Sequence, residues 1–526
     1  EWKEEQAPFY YLKYGPFTIG TARPETKFGD KYVVVHPKDK RYQKYKQGDT
    51  LEVEWINGTI TATVIKDDSI DMKFGTGAMT ITPWHDRTDF EIAERHNLDK
   101  EQVIDEKGKL LPIAGEFAKQ HINKARAQIV EKLKKKGLLK SIDEAYQHRI
   151  ATNSRGGGTI EPQIMRQWFI DVNKQFPYPH AGLKGIKKGE LVTLKKLMLH
   201  VVKTKQIKIL PKRFEKTYFH WILNLRDWCI SRQIWFGHQI PVWYKGKEIT
   251  VGTKAPTGQG WKQDPDTLDT WFSSGLWTFS TLGWPEKTED LAAFHPTDVL
   301  ETGYDILFFW VARMILMTGF FLGDIPFRTV YLHGLVRDEK GRKMSKSLGN
   351  VIDPLNTIEK FGADATRMSL IVGNSPGQDL KLSEDKIKGY KHFANKLWNI
   401  TRFILENVEG VDLETAAVFT KSDTDILKEL EEKVADITGE FEKYQLYLAA
   451  EKVYHYVWHE VADKILEESK PILQGDNAEA KLSRQRALYK ILIISLKMLH
   501  PFMPFVTEEI WQHLPKKETD LLMVAP

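Results

Sequence analysis

One cysteine, Cys229, stands in 526 residues. No disulfide can close within the chain and no cysteine cluster can hold zinc. A reducing, cytoplasmic setting is expected. Charge of one sign is equally scarce: 76 Lys and Arg nearly match 71 Asp and Glu, for a net charge of +5. That is not the excess of a protein that coats nucleic acid, so any such surface must be local. The balance is uneven along the chain. Lys391–Pro526 holds 17 basic against 23 acidic residues, which leaves +11 for the residues before it. Repeats and low-complexity tracts are absent, and no basic-then-apolar leader is legible. Long apolar runs reduce to one, Ile306–Gly323. It is long enough to span a bilayer, but Arg313 near its centre would cost roughly 2.5–3.5 kcal/mol in lipid. A helix buried in an α/β core, with no membrane partner, is the expectation.

What is present is an ordinary globular composition, 41% hydrophobic and 28% charged, which excludes rods and disordered chains. The length predicts three or four domains. The first third reads as strand and loop. Lys31–His36 is a strand candidate, and Thr50–Trp55 and Thr59–Ile65 flank Asn57-Gly58, a dipeptide suited to a tight hairpin. Apolar positions Ile122, Ala125, Ile129, Val130 and Leu133 keep helical spacing to a stop at Gly137, with lysines on a solvated face. From about Met165 to Pro376 apolar runs alternate with turns, the texture of an α/β domain. There Asp353, Pro354 and Gly362 mark the start and end of a helix. The last quarter reads as helices throughout. Ser383 can cap the first and Gly410 stop it. Amphipathic runs follow at Asp425–Ile437, Gln445–Ile465 and Leu482–Leu499, suggesting an antiparallel bundle.

The most specific motif is Lys343-Met344-Ser345-Lys346-Ser347, followed by Leu348-Gly349-Asn350. A loop of this kind can bring compact ammonium charges onto a triphosphate whose charge moves during reaction. It is similar to the KMSKS motif of class I aminoacyl-tRNA synthetases. Asp227–Gln233 with Trp235 and Gly237-His238 resembles the valyl, isoleucyl and leucyl subgroup. Asp269–Ser274, Thr302–Trp310 and Thr21–Thr26 resemble the valine–tRNA ligase family in particular, and the resemblance runs from end to end.

The resemblance implies an α/β multidomain protein in three parts. These are a β-rich editing domain at 1–164, the second part of a Rossmann-type catalytic core at 165–376, and a stem-contact region with an anticodon-binding all-α bundle at 377–526. It implies ATP-dependent activation of valine, transfer to tRNA(Val), and hydrolysis of mischarged threonyl-tRNA. Lys343 and Lys346 would be catalytic, with Mg²⁺ accompanying ATP. Gly303, Asp305, His333, Gly334 and Lys346 would hold ATP and the adenylate. Trp271, Ile306 and Trp310 would wall the valine pocket, the last two on one helical face. Such a pocket rejects a near-isosteric hydroxyl analogue only about 10²-fold, a figure that comes from this family itself. Hydrolysis at a second site would answer that weakness. Thr21, Arg23, Asp86 and Asp89 would form it, with Asp89 anchoring the substrate's α-ammonium.

The sequence also departs from the family. All 16 histidines fail the His-x-Gly-His spacing of the ATP-binding element, so an internal piece of a longer enzyme, with activation lost in the piece itself, is expected. Thr80 stands where relatives often carry lysine, so a charge is expected to be lost from the editing pocket. Asn153–Gly158 lacks the cysteines that some relatives carry there, so no zinc is expected. A monomer is expected. Two rivals remain: a stand-alone editing hydrolase and a non-catalytic tRNA-binding paralogue. Retained Lys343–Ser347 argues against the first, and intact Asp89 against the second.

Overall fold

The computed structural model describes residues 2–153, 157–344, 349–413 and 418–526. The chain divides into two compact units, Glu1–Arg166 and Gln167–Pro526.

The first unit is strand-rich. The hairpin of Phe9–Tyr14 and Phe17–Thr21 pairs with Leu139–Asp143 in a three-stranded antiparallel sheet. Alternation along the hairpin sends Leu12, Tyr14, Phe17 and Ile19 into the core. A mixed four-stranded sheet runs in the order Thr50–Trp55, Gly58–Lys66, Tyr32–Val35, Ala78–Thr80. The helix Ile122–Lys135 buries Ala125, Ile129 and Leu133. Its lysines face outward as expected, Lys132 to Glu116 and Lys136 to Glu54.

The hairpin after Thr50–Trp55 differs from expectation by one residue. Trp55 pairs with Gly58, so the turn is Ile56-Asn57 rather than Asn57-Gly58. Of that expected pair only Gly58 has a positive φ, 126°. The reason is packing: Ile56 is fully buried at the turn, and Asn57 spends its amide on Ile113 and Lys132.

The second unit begins as α/β. Lys208–Leu210, Phe327–His333 and Thr297–Gly303 form a parallel sheet in that order. Phe327 and Thr329–Leu332 are all buried, which fits a strand covered on both faces. Between Thr297–Gly303 and Phe327–His333 lies the long apolar run. It winds as a 3-10 turn, Tyr304–Ile306, then a π turn, Leu307–Val311, then the α-helix Ala312–Phe321. Among the described residues it is the one helical run apolar and long enough to cross a bilayer. Here it is packed into the core, with Ala312–Gly319 buried throughout. The Arg313 guanidinium lies 4.0 Å over the Trp228 ring and 5.0 Å from Phe308. Burial pushes its pKa down to about 10.

The helix Pro354–Phe361 starts at Asp353, whose carboxylate accepts from Leu355 N, and ends at Gly362. Ser383 caps Glu384–Val408 by accepting from Lys386 N. The following helices are Lys421–Glu442, Leu446–His455, Leu466–Gln474, Ala478–Leu499 and Pro504–Gln512, with a π-wound stretch at Tyr456–Ile465. They enclose a continuous core that includes Phe393, Leu397, Val457, Leu492 and Trp511. Two helices begin earlier than apolar spacing indicates, because Thr420 and Asn477 cap them with side-chain oxygens.

Candidate functional site

In the first unit, three separated segments meet around a cavity of about 440 Å³. The strand end at Thr21 leads into Arg23 and a 3-10 turn, Pro24–Gly29. The segment Gly75-Thr76-Gly77 supplies a second wall, with φ of 54° and 70° at its glycines. A side chain at Gly77 would also strike the Arg41 guanidinium. The third wall is Thr80 to Asp89, including the start of the helix Arg87–His96.

The expected residues Thr21, Arg23, Asp86 and Asp89 all line this cavity. Thr21 Oγ1 accepts from Arg23 N at 2.9 Å, which sets the turn that aims the arginine. Arg23 is then held from two sides, by Glu25 at 3.2 Å and by Glu161 at 2.6 Å. Burial works against its charge, but Glu161 and Glu25 outweigh it and hold its pKa above the ordinary arginine value. Glu25 is itself fully buried and takes both guanidinium nitrogens of Arg126 at 2.9 and 2.8 Å. This bidentate pairing fixes its carboxylate. His85 Nε2 accepts from Val103 N and Ile104 N, which leaves Nδ1 to face Pro162 O and Glu161.

Asp86 has a role that its spacing did not disclose. It caps the helix, accepting from Thr88 N at 2.7 Å and Asp89 N at 3.1 Å. Asp89, in the first turn, is 7% exposed and accepts from Thr82 N at 2.8 Å. Burial, and then the Asp86 charge, push its pKa up to about 7. Lys27 is buried in the same wall, with Nζ 3.3 Å from Asp30 Oδ1 and 3.1 Å from Thr80 Oγ1. The site therefore contains a cation beside Thr80 after all, contrary to the expectation of a lost charge. An aromatic edge made by Phe9, Phe74 and Tyr146 completes the rim. Lys27, Glu25, Arg126 and Glu161 escaped the sequence reading. Their partners lie up to 138 residues away, and no local periodicity marks them.

In the second unit, Gly303 and His333 are partners at the carboxyl ends of adjacent parallel strands, the usual place for a ligand crevice in an open α/β sheet. Asp305 is exposed in the turn that follows Gly303. A side chain at Gly303 would come within 2.6 Å of Asp305 Oδ1. Gly334 lies so close to the Gln378 carbonyl that no side chain fits. His333 Nδ1 faces Gly334 O at 2.7 Å and Nε2 faces Glu301 at 3.3 Å. The structure thus gathers Gly303, Asp305, His333 and Gly334.

The apolar trio is arranged less simply. Trp271 stacks on Phe309 with centroids 5.8 Å apart, while Trp310 leans on Trp277 and donates from Nε1 to Ser274 O at 3.0 Å. Ile306 sits at the join of the 3-10 and π turns with φ −107° and ψ 14°. The α-helical face expected for Ile306 and Trp310 is therefore not what relates them. Lys343 is exposed and bridges to Arg337. Lys346 lies outside the described residues. Asp338 clasps the feet of this loop, accepting from Arg342 Nε at 2.8 Å and from Asn350 Nδ2 at 2.9 Å. The Asn350 bond, with help from Arg342, holds its pKa down at about 2.

The acidic bundle carries a local basic surface. A groove of about 550 Å³ is lined by Arg486, Lys490, Lys497, Lys516 and Lys517 around Phe419 and Ile493, with one acid, Glu518, in the lining and paired to Lys497 at 2.7 Å; Arg486 and Lys490 lie 3.7 and 3.8 Å from Asp412 and Glu431. The first two are four residues apart on the helix Ala478–Leu499. That spacing was a signal in the sequence, hidden by the domain's negative total.

Residues 35–257 and 247–383 match the family described as tRNA synthetases class I (I, L, M and V), and residues 423–526 match the anticodon-binding domain of tRNA ligase. The valine–tRNA ligase of Clostridium acetobutylicum is 43% identical over 98% of this chain, and that of Bacillus subtilis 42% over 98%. The chain spans 58% and 57% of their lengths. Among solved structures, Mycobacterium tuberculosis methionyl-tRNA synthetase with methionyl-adenylate aligns with a TM-score of 0.52 at 20% identity, covering 65% of this chain and 67% of that one. A ternary LeuRS–tRNA complex from Agrobacterium radiobacter K84 aligns with a TM-score of 0.50 at 15% identity over 99% of this chain and 62% of its own. At those identities the likeness concerns the fold alone.

Proposed function

The chain belongs to the class I tRNA synthetases, and from that premise we propose that it serves a valine–tRNA ligase whose mischarged product it hydrolyses in its first unit. The whole protein would condense valine with ATP, the carboxylate displacing pyrophosphate from the α-phosphate, and pass the valyl group to tRNA(Val). We place that activity in the cytoplasm, in a monomer, with Mg²⁺ entering as part of the ATP complex. Activation is assigned to the whole protein rather than to these 526 residues, which hold no His-x-Gly-His element. The bundle's basic groove supports contact with tRNA phosphates.

The observation that carries the reading is the convergence of Thr21, Arg23, Asp86 and Asp89 on one cavity. A buried carboxylate and a fixed guanidinium lining one cavity suit a substrate that presents an α-ammonium and an ester. Asp89 would take the ammonium, and the arrival of that cation favours its ionised form. Arg23, locked by Glu25 and Glu161, would keep the wall in place while water attacks the ester carbonyl. The ester C–O bond breaks, freeing threonine and restoring the 3′-terminal hydroxyl of the tRNA. In the second unit, Lys343 and Lys346 would meet the triphosphate as charge builds on the departing pyrophosphate. Gly303, Asp305, His333 and Gly334 would border the adenylate, and Trp271, Ile306 and Trp310 the valine side chain.

The test uses the 526-residue chain with tRNA(Val) carrying either threonine or valine. The expected result is release of threonine with the valyl ester left intact. Threonyl-tRNA that survives as long as it does without protein would overturn the reading of the cavity.

A further inference from the structure

The pocket wall contains more buried charge than the anchoring of one ammonium needs. Asp30 is 2% exposed and its Oδ2 has no partner. Lys27, 6% exposed, lies against Asp30 Oδ1, Thr80 Oγ1 and, at 3.5 Å, Thr80 O. Thr82, whose backbone N–H holds Asp89, also places its hydroxyl 3.4 Å from Asp30 Oδ1. Lys27, Asp30 and Asp89 thus form one cluster through Thr80 and Thr82. An uncompensated carboxylate in such a place would take up a proton rather than stay charged.

We propose that Lys27 is a positioning residue of this pocket: its ammonium, fixed between Asp30 and Thr80 in the cavity wall, is the positive charge that lets Asp89 meet a substrate ammonium as an anion. The inference rests on the hydrolytic reading of the cavity. Asp86 on the same helix and Asp30 behind the wall both favour protonation of Asp89, and Lys27 opposes them. Arg23 and His85 also line the cavity but are engaged by Glu161. Lys27 is therefore the cation positioned to offset the carboxylates directly. The ammonium comes from the turn Pro24–Gly29 and reaches the Thr80 hydroxyl at 3.1 Å, so that a lysine placed at 80 can be tested as its substitute.

The experiment reads the titration of Asp89 without using activity. Unfolding temperature is followed against pH for the full chain and for its Asp89→Asn variant, and the difference between the curves gives the Asp89 midpoint. The same pair is made in a Lys27→Gln background, which keeps a hydrogen-bonding group but no charge. The midpoint is expected to rise by roughly one pH unit, and to return when Thr80→Lys is added. A midpoint that does not move overturns the proposal. Should Lys27→Gln not fold, the swap Lys27→Met with Thr80→Lys decides: a parental midpoint supports the proposal, and a raised midpoint or an unfolded chain overturns it. Threonyl-tRNA hydrolysis is measured in parallel on the parent. A parent that cannot hydrolyse removes the hydrolytic reading, whereas an active parent with an unmoved midpoint removes only Lys27.

Discussion

The cavity of the first unit and the strand-end crevice of the second, both proposed here as ligand sites, are built by different means. The cavity is built from side chains. Glu25 is pinned by two arginines, Asp89 is held by one backbone N–H, and Lys27 is enclosed among carboxyl and hydroxyl oxygens. The crevice is built from backbone. Two parallel strands end side by side at Gly303 and His333, and Gly334 passes so near Gln378 that a side chain is excluded. A side-chain site can be tuned by charge at single positions and fails when one partner is removed. A backbone site tolerates changes of charge nearby and fails when volume is added. The two units should accordingly respond to different mutations, and each should leave the other's activity intact.

The largest separation is expected from Lys346→Ala in a protein that carries a His-x-Gly-His element together with this chain. Valine-dependent pyrophosphate exchange should fall about 10²–10³-fold, because contacts that strengthen as charge develops act on the turnover step. Threonyl-tRNA hydrolysis by the same protein should not change, and a parallel loss of both would break the division. Next is Asp89→Ala. Losing a buried charge pair to the substrate ammonium costs roughly 2–5 kcal/mol, so hydrolysis should slow at least about tenfold while exchange is unaffected. Gly334→Ala tests the backbone site by volume. The added carbon meets the Gln378 carbonyl, and overpacking of this sort costs roughly 1–3 kcal/mol. Exchange should drop with it, and chemical denaturation should show the loss.

Two smaller effects sharpen the comparison. Asp86→Ala removes a helix cap, worth roughly 0.5–2 kcal/mol, whereas Asp86→Asn keeps the capping oxygen. If both variants hydrolyse equally slowly, the charge matters beyond the cap; if Asn alone recovers the rate, the cap is the whole effect. The last is a matter of pH. Burial raises Asp89 to about 7 and Asp30 to about 6, while an unfolded aspartate releases its proton near 3.9. Between those values the folded chain binds more protons than the unfolded one, so stability should fall as pH rises from about 4 to about 7. Asp89→Asn should flatten the upper part of that slope in thermal unfolding. An unchanged slope would mean that Asp89 does not titrate in this range.

What could be read from the sequence follows the range of the interactions. The strand Tyr32–Val35, the helix Ile122–Lys135 and the caps Asp353 and Ser383 were legible, because alternation, helical spacing and capping act within a few residues. The α/β texture of the middle stretch and the helical last quarter followed from the same signals, whereas the division into parts came from the resemblance. The turn at Ile56 was not legible, since a buried isoleucine moved it away from the better turn dipeptide. The π winding at Leu307–Val311 was hidden because an apolar run looks alike in any helical form. In the cavity, Thr21, Arg23, Asp86 and Asp89 came from a resemblance carried by short motifs. The supports of that site did not. Arg126 reaches Glu25 across 101 positions and Lys27 reaches Thr80 across 53.

The clasp at Asp338 has a consequence in chain statistics. By joining Arg342 and Asn350 to one carboxylate, it fixes to one another two points of the chain on either side of Lys343 and Lys346 in the sequence. The free energy of closing the chain between two such points grows only with the logarithm of the length between them, about 0.6 kcal/mol for each doubling. Residues inserted there would therefore barely disturb stability. A series of insertions between Arg342 and Asn350 tests this: the unfolding temperature should stay nearly constant as the insert grows, and a steep fall would show that the closure carries more than chain entropy.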